Sequence, residues 1–121
     1  WIHREIRVRY WAFAADEDLS MDELFKAKYK GIRPAPGYPA CPDHTGKQVI
    51  FDLLDAQRKI GVSLTESYAM NPPSSVCGYI FANPESSYFN VGRIGNDQVD
   101  DYALRTGMTP EEVRRWLAPN I

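Results

Sequence analysis

No run of apolar residues in this chain is long enough to cross a bilayer, and no charged-then-apolar leader opens it, so neither a membrane anchor nor a secretory signal is expected. Cysteine is scarce. Cys41 and Cys77 stand far apart with no close spacing, which excludes a disulfide framework and points to two free thiols in a cytoplasmic protein. Cys41 and His44 make a lone C-x-x-H pair with nothing nearby to complete four ligands, so no metal site is expected. An excess of positive charge is missing too: a formal net charge of −2 gives no broad positive field, which argues against nonspecific nucleic-acid or anionic-membrane binding. The chain also opens on Trp1-Ile2-His3-Arg4 without a methionine, a cap or a polar tail, and is expected to be a piece of something longer. What remains is the composition of one ordinary globular domain, 121 residues with 44% hydrophobic and 25% charged, enough for a modest core.

Proline is what the chain has in concentration. Tyr29 to Thr45 reads YKGIRPAPGYPACPDHT and holds Pro34, Pro36, Pro39 and Pro42 together with Gly31 and Gly37, a mix that suits neither helix nor strand. Each proline sets its own φ and biases the residue before it toward extended geometry, so Ile32 to Pro42 should hold one shape with little entropy left to lose. Gly37 can take a positive φ or admit a close approach to the backbone. Such a loop leaves carbonyls and a few amides, those of Ala35, Gly37 and Tyr38, for a ligand, and Arg33 adds a planar fork suited to a carboxylate.

The rest reads as helices around a small sheet. Trp1, Ile2, Ile6, Tyr10 and Phe13 recur at helical steps with Arg4, Arg7 and Arg9 between them, the pattern of an amphipathic helix with a solvated basic face. Ser20 and Glu23 form a capping box with Leu19 and Leu24 as staple, and a short helix should run to about Lys28 before Gly31. Thr45 and Gln48 read as a second box leading a helix whose Val49, Ile50, Leu53, Leu54 and Ile60 share a face, stopped by Gly61. Val62 to Met70 is strand-like. Ser75 to Ala82 and Tyr88 to Ile94 read as an antiparallel hairpin across Asn83–Ser87, with Tyr88 and Phe89 on opposite faces. Asn96 to Thr106 is helical with Gly107 as stop. Thr109, Pro110 and Glu112 then cap a last helix to about Leu117, with Trp116 and Leu117 expected in the core. The fold class is therefore α+β, a small antiparallel sheet with a hairpin packed by several helices.

RPAPGYPACPDHT closely resembles the signature of the reactivation domain of cobalamin-dependent methionine synthase. LTESYAM, SSYFNVGRI, DQVDDYALRTGM and VRRWLAPN resemble that family's later blocks in the same order, so the likeness covers the chain from about Tyr10 onward. The resemblance implies that residues 1–121 are the C-terminal portion of an S-adenosylmethionine-binding activation domain. Such a domain serves the reductive methylation of cob(II)alamin in an enzyme that moves a methyl group from methyltetrahydrofolate to homocysteine. It implies a site in which Arg33 grips the ligand's carboxylate, Pro34 shapes the loop, Ala35, Gly37 and Tyr38 offer backbone contacts to the adenosine part, and Tyr88 and Phe89 pack against it. No general acid or base is implied. Cobalamin and zinc would belong to other domains, and the partners would be the cobalamin-binding domain and flavodoxin or a flavoprotein reductase. In the family, acidic residues upstream of the loop complete the site, so this chain is expected to carry part of it. Two other classes compete: a helix-turn-helix nucleic-acid module formed by the last two helices, although Glu111 and Glu112 would face phosphate there, and a protein-docking module using the proline loop.

Overall fold

The computed structural model describes residues 1–121, which divide into two compact units: Trp1–Pro34 with Tyr79–Tyr88, and Ala35–Gly78 with Phe89–Ile121.

The first unit opens on helix α1, Ile2–Glu5, which widens into a π-helical stretch, Ile6–Tyr10. The helix is where the sequence places it, but its most buried residues are not the apolar ones. His3, Glu5 and Arg7 are buried, while Trp1, Ile2 and Tyr10 are exposed. The cause is a turn at Ala12 (φ 53°), after which the Ala14 amide donates to the Arg7 carbonyl at 2.9 Å and the chain brings Glu17 over Arg7. Arg7 Nε and Nη2 donate to the two Glu17 carboxylate oxygens at 2.5 and 2.6 Å, a bidentate pair that keeps both charges satisfied out of water. The Arg7 guanidinium also lies 4.6 Å from the Tyr29 ring centroid.

Helix α2, Met21–Phe25, carries the expected box: Glu23 N–H donates to the Ser20 hydroxyl, and the Ser20 N–H donates back to the Glu23 carboxylate. It ends before Lys28 because Ala27 turns left-handed at φ 53°. Gly31 follows at φ +72°, where a Cβ would sit 2.2 Å from the Phe81 carbonyl oxygen, so only glycine fits. That close approach serves pairing. Ile32 and Phe81 exchange both backbone hydrogen bonds, at 3.0 and 2.9 Å, and the Tyr79 amide donates to the Pro34 carbonyl at 2.8 Å.

In the second unit, helices α3, Gly46–Leu54, and α4, Ala56–Ile60, are separated by Asp55 in a left-handed conformation, where a single continuous helix was expected. Thr45 does not cap α3. Its own backbone is helical, and its amide and hydroxyl donate instead to Asp43 Oδ1 and Oδ2, both at 2.7 Å. The expected apolar face is rotated outward: Val49, Leu53, Leu54 and Ile60 are exposed, while Lys47 and Ala56 are buried.

The sheet is a two-stranded antiparallel hairpin, β1, Ser63–Leu64, with β2, Met70–Asn71, paired Ser63 to Asn71 and Leu64 to Met70. The stretch Val62 to Met70 thus folds back on itself at Thr65–Ala69 instead of running as one strand. The hairpin expected between Ser75–Ala82 and Tyr88–Ile94 does not form. Backbone donors on both segments are spent on the proline loop, Tyr79 and Phe81 on Pro34 and Ile32, and Val91 on Pro39 at 2.9 Å, which leaves no ladder between them.

Helices α5, Asn96–Thr106, and α6, Pro110–Trp116, match the sequence reading, with Gly107 left-handed between them and a complete box at Thr109 and Glu112. Together they bury Val99, Ala103, Val113 and Leu117, flanked by Ile94, Tyr102 and Met108. Each larger apolar side chain among the four contributes about 1.5–3 kcal/mol of burial. Trp116, expected in the core, is only half-buried and packs edge-on to Tyr68 at 5.1 Å.

Candidate functional site

The set of residues singled out from sequence divides between the units: Arg33, Pro34 and Tyr88 lie in the first, and Ala35, Gly37, Tyr38 and Phe89 in the second. In the first unit, Arg33 and Tyr88 come together. The Arg33 amide donates to the Tyr88 hydroxyl oxygen at 2.9 Å, and that hydroxyl shares a second hydrogen bond, 3.0 Å long, with the hydroxyl of Tyr29. The Arg33 side chain remains exposed while its backbone is held. Partial burial works against the guanidinium charge, but hydrogen bonding and charge interaction with Tyr29 and Tyr88 outweigh it and raise the pKa of Arg33. Burial, followed by the bond to Tyr88, likewise raises the pKa of the Tyr29 phenol. Below them His3 is 4% exposed, and neither of its ring nitrogens has a partner. Burial first, then Arg7 and Arg33, lower its pKa to about 4, so it is a neutral ring packed edge-on to Tyr29 at 5.0 Å. The result is an exposed fixed cation with two phenols behind it, suited to a carboxylate.

In the second unit, the loop closes on itself. The Gly37 amide donates to the Cys41 carbonyl at 2.7 Å, Cys41 to the Tyr38 carbonyl at 2.8 Å, and Tyr38 to the Ala35 carbonyl at 3.2 Å. The amides of Gly37 and Tyr38 are therefore not free, contrary to the sequence reading. Prolines remove donors, so the few that remain are consumed in holding the turn. The Ala35 amide and the carbonyls of Pro36 and Gly37 stay outside this network. Tyr38 and Phe89 are exposed, 66% and 59%, and Phe89 belongs to no strand, so the picture of Tyr88 and Phe89 on opposite sheet faces does not hold.

Three residues that sequence reasoning left outside the site support the loop. Asp43, 7% exposed, accepts from Thr45 and also from the Tyr102 hydroxyl at 2.6 Å, and burial with this bond raises the Tyr102 pKa. Lys47 and His44 are joined at 3.0 Å. Their signal was present in PDHTGK, but a helix-start pattern explained the same letters. Cys41 and Cys77 are free thiols whose pKa values burial pushes up, which keeps them protonated and poorly nucleophilic. No three of the chain's His, Cys, Asp and Glu side chains group to hold a metal ion.

A chain mostly of short helices and proline-rich loop, with a single minimal antiparallel hairpin, defines an α+β protein. The chain belongs to the vitamin B12-dependent methionine synthase activation domain family, whose profile matches residues 1–107. It is also similar to a solved structure, the crystal structure of the MetH reactivation domain bound to AdoHcy, with 52% sequence identity and a TM-score of 0.91 over 99% of this chain. The chain spans 37% of the length of that relative. The resemblance carried by the proline loop and the later blocks is thereby borne out, as is the α+β class.

Proposed function

We propose that this chain contributes the loop-bearing part of an S-adenosylmethionine site in a B12-dependent methionine synthase. The observation that carries the reading is the exposed Arg33 guanidinium, held beside the Tyr29 and Tyr88 hydroxyls by a backbone anchored on Tyr88 and accessible to a ligand carboxylate. The MetH relative was solved with AdoHcy, the demethylated form of the same ligand, which supports this choice among carboxylate ligands. The donor set fits. The Ala35 amide can donate to an adenosine acceptor, and the Pro36 and Gly37 carbonyls can accept from its amine or hydroxyls. Exposed Tyr38 and Phe89 offer aromatic faces for a flat base or a sulfonium cation.

Work at this site is binding and orientation. Transfer of a methyl group from a sulfonium needs alignment more than proton movement, so no residue is assigned as acid or base. Cobalamin, when bound by another domain, would supply the metal that accepts the methyl group, and a flavodoxin or flavoprotein reductase would supply the electron. The reading places the enzyme in the cytoplasm, consistent with free thiols and with the absence of any helix long and apolar enough to cross a membrane.

The test is calorimetric titration of the chain with S-adenosylmethionine, repeated with Arg33→Ala. Losing charge-assisted hydrogen bonds should weaken binding by about 10- to 100-fold. Equal affinity in the two proteins would remove Arg33 from the site, and no binding by the folded chain would reject the reading.

A further inference from the structure

Two polar side chains of the second unit, the buried Lys47 and the half-buried His44, lie outside the proposed ligand contacts, yet His44 presses on the ligand loop. Lys47 is 7% exposed, its ammonium donates to the Tyr68 carbonyl at 2.8 Å and to His44 Nδ1 at 3.0 Å, and it has no carboxylate partner. An ammonium has only donors, so His44 Nδ1 must present its lone pair, and the ring proton sits on Nε2. The opposite partner of the ring is Gly37. A Cβ built there would fall 2.1 Å from His44 Cε1 and 2.7 Å from each ring nitrogen, and Gly37 itself holds φ +97°. The ring thus lies against the Gly37 backbone in a space that no side chain could share. One line of contacts runs from the Tyr68 carbonyl through Lys47 and His44 to the centre of the proline loop.

We propose that neutral His44 is a positioning residue for the ligand loop, held by Lys47 and in turn holding Gly37 in the shape that receives S-adenosylmethionine, so that affinity falls when His44 takes a second proton. This rests on the binding reading above. A second proton removes the lone pair that Lys47 uses and sets two cations 3.0 Å apart in a part-buried setting. The charged groups facing His44 are Lys47 from α3 and Asp43 from the loop, and the Cys77 thiol faces Lys47. Asp43 only partly offsets the lysine, because it is already engaged by Thr45 and Tyr102. Burial and then Lys47 lower the His44 pKa below its ordinary 6.5, so the neutral ring is the resting form at neutral pH.

The test measures S-adenosylmethionine affinity between about pH 5 and 8 in the wild-type chain, Lys47→Gln and His44→Ala, alongside the ring titration of His44 followed by NMR. His3 titrates near 4, below this window. Wild-type affinity should weaken about tenfold as His44 is protonated. Lys47→Gln keeps a donor to Nδ1 but drops the charge, so the NMR titration and the affinity inflection should move to higher pH together. His44→Ala should bind about tenfold more weakly at the alkaline end and show no inflection. If His44→Ala does not fold, the wild type and Lys47→Gln decide alone. Arg33-dependent binding that stays level across the His44 titration overturns the positioning role and leaves the binding reading intact. A folded chain that binds nothing at any pH overturns both.

Discussion

Arg7 is 2% exposed and Glu17 nearly as buried, so this pair is decided by desolvation more than by attraction. Removing one partner leaves the other charge buried alone. Glu17→Gln should therefore cost about 3–5 kcal/mol in denaturant unfolding, while the double replacement Arg7→Met with Glu17→Met should cost much less than twice that. Gly37 is the corresponding backbone case. Gly37→Ala demands a left-handed alanine, about 1–2 kcal/mol by itself, in a position the His44 ring already fills. The expected result, read by calorimetry and thermal unfolding of the same protein, is a folded chain with a lower Tm and weakened S-adenosylmethionine binding.

Among the elements, α3 and α6 begin with the same kind of sequence and start by different means. Thr109 caps α6 with a complete box, whereas Thr45 is inside the helical region and Asp43 does the capping from two residues upstream. Thr109→Ala should lower stability by about 1 kcal/mol, the ordinary value of a lost cap. Asp43→Ala should cost more, about 2–3 kcal/mol, because it strands both the Thr45 amide and the Tyr102 hydroxyl in a part-buried setting. Tyr102→Phe in the Asp43→Ala background should then add little, and a double-mutant cycle by urea denaturation checks that coupling.

Over the molecule, stability should follow two histidines, the buried His3 and the half-buried His44. His3 has a folded pKa of about 4 against an ordinary 6.5, so between those values the unfolded chain binds the proton and the folded chain does not. Stability is complete above about pH 6.5 and is lost as pH falls toward 4, by roughly 3 kcal/mol for His3 alone. His44 has the same sign. Urea unfolding across this range should show the decline, and His3→Phe, which removes the titrating group, should flatten most of it. S-adenosylmethionine should also bind this chain more weakly than it binds a complete reactivation domain, since the chain spans 37% of its solved relative.

Family, the presence of the proline loop and some of the helix ends were determined by the sequence alone. RPAPGYP, the Ser20 and Thr109 boxes, and the glycine stops at Gly61 and Gly107 act through φ limits and hydrogen bonds within about four residues, and such rules need no partner. Tertiary structure decided the rest. The buried face of α1, the outward turn of Leu53 and Leu54, the pairing of Tyr79, Phe81 and Val91 with the proline loop, and the Lys47–His44–Gly37 line all depend on residues distant in the chain. Periodicity names two faces of a helix but not the one that meets a neighbour. A backbone amide likewise finds its acceptor only when the chain has brought one within reach.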